Sequence, residues 1–433
     1  MVVTFVPRLL LTANALVVLV ISHYLMEVVG HGESRNRDCS LQAKSNGSGH
    51  CACTALLDIH CKGLDSIPEF LDTGMTFNGI YMANQAISDV PQGIFAYIRV
   101  NKIVLNFNPI GDKLSDNALR GLERILRELY VGDCGIRSLP VGMLNGMEEL
   151  RHLHLWANQI TAIPTTFFKD CTNLQELILW GNQLREIDEN SLAGLWKLRK
   201  LDLDRNLITD LRKDAFRHLS ELEAIHLGEN LITTLSSDTF SFTKNLKILN
   251  LDGNRITHIY PKAFDGLGNL LSLALDQNNI TYFAAPILDN LRNLTTLNLQ
   301  KNRLEAIWPR TFGAQRSLVR LNLSNNRLSS LPDDMLKSSP RLRYVYLENN
   351  QIATFSRCVM SRRVTPRTVS LLGNPVRCSC DLSWLTDLSE SKGLTVWGTC
   401  ASGNHDVEIP TSVVSRQNYV TCNASKADCR SQW

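Results

Sequence analysis

Acid–base chemistry, metal binding, thiol chemistry and aromatic recognition each have candidate residues in this 433-residue sequence. Asp202, His226 and His154 could form an acid–base or metal-ligating set, because imidazole beside carboxylate moves protons near neutral pH and both groups ligate zinc. The patterns that usually accompany such chemistry are missing: there is no nucleophile elbow, no HExxH and no glycine-rich phosphate loop. The residues therefore read as non-enzymatic, with no cofactor and no metal. Trp156 and Trp180 are of the type that anchors protein interfaces. Twelve cysteines are too few for a fold held by disulfides alone, a class with above roughly 8–10% Cys, but too many to be incidental. With 45 basic and 42 acidic residues, the net charge of +3 gives no basis for nucleic-acid binding. An apolar content of 44% is enough to bury a core, and length alone suggests about three domains at roughly 150 residues each.

The spacing of these residues changes that estimate. Trp156 and Trp180 are 24 residues apart, as are Asp202 and His226, so one repeat carries them all. Leu150, Leu153, Leu155, Asn158 and Ile160 open a frame that returns at Leu174, Leu198, Leu222, Leu246, Leu270, Leu294, Leu318 and Leu342 without a slip. Leu126 fits the same step, Val100 and Phe77 begin two further copies, and a shortened one ends in Val369, Leu371 and Asn374. Each LxL pair has period two, which predicts a short strand with one buried face. Such strands are too short to stand alone and must stack into a parallel sheet. The Asn after each strand (158, 182, 206, 230, 254, 278, 302, 326, 350) can satisfy backbone groups of its own and the next coil. A second apolar series, Phe168, Leu192, Phe216, Phe240, Phe264, Leu288, Phe312 and Leu336, should fill the opposite wall. About ten residues per copy remain for the outer side, too few for a long helix. The pattern is that of the leucine-rich repeat, in twelve full copies and one partial over residues 77–374. It predicts an α/β solenoid, a horseshoe with its parallel sheet on the concave face.

At the N-terminus, Arg8 and an apolar run from Leu9 to Ile21 resemble a secretory signal peptide over residues 1–30. No stretch approaches the length of a transmembrane span, so the expected mature protein is secreted into the extracellular space. Cys39, Cys51, Cys53 and Cys61 precede the repeats within residues 31–76, and Cys378, Cys380, Cys400 and Cys422 follow them within 375–425, ahead of a polar tail at 426–433. CACTALLDIHC and NPVRCSCDLSWL resemble the N- and C-terminal caps of the extracellular leucine-rich-repeat family that includes Nogo receptor, Slit proteins and variable lymphocyte receptors. That resemblance implies disulfide-bonded caps with Trp384 and Leu385 in the second core, and the pairs Cys39–Cys53, Cys51–Cys61, Cys378–Cys400 and Cys380–Cys422. It also implies non-covalent recognition of an extracellular protein, or of a glycan, on the concave face. Cys134 stands in the Asn-ladder position and reads as a buried thiol, and Cys171 lies on the outer side. Cys358 and Cys429 either pair or leave Cys429 to link two chains into an oligomer.

Side chains flanking the strand leucines point out of the sheet in columns. They place Tyr130, His154, Trp156, Ile178 and Trp180 in one exposed aromatic patch, beside Asp202, Asp204, Arg205, His226, Glu229, Asp252 and Asp276. Exposed aromatics next to charges have hot-spot composition, and this patch is the expected ligand site. Five Asn-x-Ser/Thr acceptors occur, at Asn46, Asn279, Asn293, Asn322 and Asn423. Arg357, Arg362, Arg363, Arg367 and Arg377 form a diffuse basic cluster that supports the alternative of an extracellular-matrix structural or carrier protein holding sulfated glycans.

Overall fold

The computed structural model describes residues 49–70, 74–283, 285–360, 366–377, 382–400 and 407–409. One 16-stranded sheet runs through it, built by stacking three-residue strands such as His152–His154, Glu176–Ile178 and Lys200–Asp202. Neighbouring strands are parallel and the register holds at 24 residues, with Leu153 opposite Leu177 and Leu177 opposite Leu201. The solenoid expected from the leucine frame is therefore present, with about thirteen turns.

The sheet continues into both ends. At the start, the hairpin of His50–Cys53 and Asp58–Lys62 is antiparallel, and its second strand pairs in parallel with Thr76–Tyr81. Cys51 and Cys61 face each other across that hairpin and are joined by a disulfide, as the cap resemblance implied. At the other end Thr395–Trp397 extends the sheet beyond Thr368–Ser370, and the helix Ser383–Lys392 buries Trp384 and Leu385 against the last coils. Terminal strands of this kind cover sheet edges that would otherwise template association. Cys53, Cys358 and Cys400 are also disulfide-bonded. Cys39, Cys378, Cys380, Cys422 and Cys429, the signal segment, Asn46, Asn423, Arg362 and Arg363 lie outside the described residues.

Three interior series hold the coils together. The strand leucines and the Phe168–Leu336 series are essentially fully buried, with Phe216 stacked on Phe240 at 5.8 Å. Between them runs the amide ladder. Asn230 Nδ2 donates to Leu203 O (2.9 Å) and Leu227 O (3.1 Å), and its Oδ1 accepts the Ile208 N–H (3.1 Å). One side chain thus satisfies three backbone groups of its own and the preceding coil, so a polar residue is stable at 3% exposure. Cys134 replaces the amide once, donating its thiol toward Leu105 O (3.2 Å) and Gly132 O (3.3 Å). The outer side is almost entirely turns, with a 3₁₀ turn at Ala285–Leu288 and a two-strand pair, Thr234–Leu235 with His258–Ile259. The α component of the expected α/β class is thus confined, among the described residues, to the C-terminal helix.

Candidate functional site

Register places the first outward column in sequence order: Tyr130 opposite His154, then Ile178, Asp202, His226, Asn250 and Ala274. The second column follows by backbone pairing just past the strands. Ala157 N–H donates to Trp180 O, Gly181 N–H to Asp204 O and Glu229 N–H to Asp252 O. A third column carries the expected Arg205 and Glu229 and adds Phe107, which sequence reasoning missed. The residue before each ladder Asn takes a left-handed conformation, at φ 61° for Phe107, 55° for Arg205 and 50° for Glu229. That turn lets the chain leave the strand, and it swings these side chains over the face beside the other two columns.

The aromatic half is less exposed than its columns suggested. His154 is only 2% exposed and Ile178 only 7%, while Tyr130, Trp156 and Trp180 are half-buried. The cause is Gly132, which stands one coil before Trp156. A Cβ built there would overlap the indole, so the ring lies flat on the bare backbone instead of standing off the sheet. Phe107 meets the edge of Trp156 at 5.3 Å, Trp156 meets Trp180 at 6.3 Å, and the Arg205 guanidinium covers Trp180 at 5.4 Å. Tyr130 packs edge-on against His154 at 4.4 Å and carries Lys102 over its ring at 4.7 Å. The patch is a pre-packed row of rings with one face to solvent, so a ligand need not order it on binding.

Beside it on the same sheet face, two residues before Ile178, lies Glu176, which sequence reasoning passed over. It accepts from Lys200 Nζ (2.7 Å) and His152 Nδ1 (3.1 Å), with His154 Nε2 at 3.8 Å. The His152 hydrogen bond and the nearby His154 imidazole, with Lys200 adding to them, hold its carboxyl far below the usual carboxylate range. Glu176 therefore pins His152 and Lys200 along the border of the aromatic row.

The acidic half behaves in the opposite way. Gly228 supplies a second notch, where a Cβ would overlap Asp252 and crowd Asp204, and its N–H donates to Asp204 Oδ1. Burial pushes the Asp204 carboxyl up to about 8, with Asp202, Asp252 and Glu229 adding repulsion. Burial likewise raises Asp276, to about 6, and Asp252. It raises Asp202 too, against the opposing pull of His226 and the Asp204 N–H, and it lowers His226. Arg205 donates to Glu229 at 3.0 Å, closing the strip on the side of the indoles. No group of His, Cys, Asp or Glu suited to hold a metal ion occurs among the described residues. The basic cluster is spread out: Arg357, Arg367 and Arg377 are exposed on separate segments.

Among the described residues, the two thiols outside the disulfides are buried. Burial raises Cys134 to about 11 and Cys171 to about 12, and neither lines the face.

Comparison with known proteins agrees with this architecture. The family described as Leucine rich repeat matches residues 148–208, 196–256, 244–304 and 292–352. No curated protein matches the chain in sequence. Among solved structures, TLR13 in the TLR13–ssRNA13 complex is 27% identical with a TM-score of 0.68, over 76% of this chain and 48% of that one. Toll in the Drosophila Toll–Spatzle complex is 23% identical with a TM-score of 0.61, over 79% and 55%. The octameric Latrophilin 3, Unc5D and FLRT2 complex contains a chain 21% identical with a TM-score of 0.58, over 83% and 95%. The last two likenesses show the fold alone. The chain spans about half the length of the TLR13 and Toll chains it matches.

Proposed function

From the premise that this chain is a leucine-rich-repeat protein, with structural neighbours among extracellular receptors, we propose a secreted, non-enzymatic recognition protein that holds a protein ligand on its sheet face. The observation that carries the reading is the pre-packed row Phe107–Trp156–Trp180 capped by Arg205, lying directly against a strip of half-buried carboxyl groups. Rigid indoles beside guanidinium are what interface centres are made of. Trp156 and Trp180 stand 24 residues apart on adjacent coils, so an extended protein surface can contact both rings side by side. No enzymatic family is matched, and leucine-rich-repeat arrays serve as interaction scaffolds. TLR13 is solved with RNA, whereas the strip from Asp202 to Asp276 presents carboxyl groups in place of the Lys and Arg that a phosphate backbone would need.

The test has two arms. Expression of the full chain with its own N-terminus in an animal cell line should deliver it to the medium; retention in the cytosol would overturn the secreted reading. Affinity capture from extracellular protein should then recover a ligand that the Trp156→Ala, Trp180→Ala double variant loses. Equal capture by a folded double variant would overturn the site.

A further inference from the structure

Three glycosylation acceptors lie among the described residues, and their surroundings differ. Asn322 ends the strand Arg320–Asn322 on the sheet face, half-buried, registered between Asn298 and Tyr346. Both ends of its amide are engaged: Nδ2 donates to Gln300 Oε1 (3.0 Å) and Oδ1 accepts the Ser324 N–H (3.0 Å). Ser324, the third residue of that acceptor, is 1% exposed. A sugar there would have to emerge between coils about 4.8 Å apart and lie across the face. Asn279, next to the ladder residue Asn278, is half-buried at the edge where the chain leaves the sheet.

Asn293 is different. It is exposed on the opposite edge, three residues ahead of the strand Thr296–Asn298. Its Nδ2 donates to Gly268 O at 2.9 Å, and Asn269, Asn245 and Asn173 make the same bond to Lys244 O, Ser220 O and Glu148 O. This edge ladder holds each amide flat on the preceding coil through one N–H. A glycosylated amide keeps one N–H, so the ladder bond and a sugar are compatible at Asn293. Beside it runs a groove of about 600 Å³ along the same edge, lined by Asn245, Lys247, Asn269 and Leu271 among others. Amide and ammonium groups can hydrogen-bond sugar hydroxyls, and Leu271, 41% exposed, offers an apolar surface to the ring C–H groups.

We propose that Asn293, and not Asn322, carries an N-linked glycan whose inner sugars lie back along the edge groove past Leu271, leaving the ligand-binding face bare. The inference rests on the secreted reading, because the modification occurs on chains entering the secretory route. In the transfer, Asn293 Nδ2 bonds to the anomeric carbon of a lipid-pyrophosphate-linked oligosaccharide. The bond from that carbon to the pyrophosphate oxygen breaks, and the amide proton leaves with the lipid pyrophosphate. The expected result is a protein whose glycan shields one lateral edge and whose ligand approaches over the face or from the other edge.

The experiment uses residues 31–433 behind a foreign secretory leader in an animal cell line, so that the native leader plays no part. Failure of the native leader overturns secretion alone; an unmodified Asn293 in this arrangement overturns the site. Peptide mapping after enzymatic deglycosylation should show the Asn-to-Asp mass change at Asn293 in most molecules and its absence at Asn322. Asn293→Gln, which retains a ladder amide, and Thr295→Val should each remove one glycan's worth of gel mobility. Asn322→Gln should leave mobility unchanged. Hydrogen exchange at 245–271 should be slower in the glycosylated protein than after deglycosylation. Glycan at Asn322, none at Asn293, or unchanged exchange along the groove would each overturn the corresponding part of the proposal.

Discussion

The acidic strip makes a quantitative prediction about stability. Asp204 has an ordinary value of 3.8 and sits at about 8 in the folded chain because burial disfavours its charged form. Between those two values the folded chain holds a proton that the unfolded chain has released. Unfolding therefore releases protons, and stability falls as pH rises from about 4 to about 8. At 1.36 kcal/mol per unit, the penalty at pH 7 is roughly 4 kcal/mol, and at pH 5 it is under about 2 kcal/mol. Asp204→Asn removes the charge and keeps an oxygen for the Gly228 N–H, so the notch geometry survives. Since neighbouring Asp202 and Asp252 share the repulsion, the expected gain at pH 7 is about 2–4 kcal/mol, or roughly 2–4 °C in Tm for a chain of this length. The assay is thermal unfolding of wild type and variant followed by circular dichroism from pH 4.5 to 8. The difference should shrink toward zero at the acid end, which separates the charge from any general effect of the substitution. A variant less stable than wild type at pH 7, or a difference independent of pH, would refute the reasoning that burial of this carboxylate carries the cost.

Other outcomes follow from the same contacts. Asn230→Ala removes three ladder bonds and leaves buried backbone groups unpaired, and should lower stability by about 2–4 kcal/mol in urea unfolding. Gly132→Ala forces the Trp156 indole off the sheet; the fluorescence of the folded protein should shift to the red, whereas Gly142→Ala, far from the rings, should leave it unchanged. Cys134 and Cys171 should resist an aromatic disulfide reagent at pH 8 until the chain is unfolded, since their thiols are held at about 11 and 12. Binding of a captured protein ligand at the indole row should weaken little with added salt, whereas dominance of the Arg357–Arg377 edge would give a steep decline.

Much of the architecture was legible because it is periodic. The 24-residue step of Leu150, Leu174 and Leu198 can be satisfied only if each coil lays its leucines on the next, so solenoid, register and the polar ladder follow together. The Cys51–Cys61 cap followed from resemblance, not from spacing. The candidate site was legible in its columns and misread in its exposure. A column predicts which side chains are neighbours, but not whether the neighbour is small enough for a ring to lie down. Gly132 one repeat before Trp156 was the available signal. Phe107 left no period-two signal, because it enters the face through a left-handed turn.

What the sequence determined by itself was what repeats: the strands of the repeats, the order of outward residues and the buried series. Each is a local pattern multiplied by translation along one axis, and translation adds no new information. Tertiary structure decided what depends on unlike neighbours meeting across coils. It laid Trp156 on Gly132, drew Lys200 and His152 onto Glu176, crowded Asp204 and Asp252 into the Gly228 notch, and separated exposed Asn293 from occluded Asn322. Those outcomes turn on the volume and desolvation of particular pairs, which no period encodes.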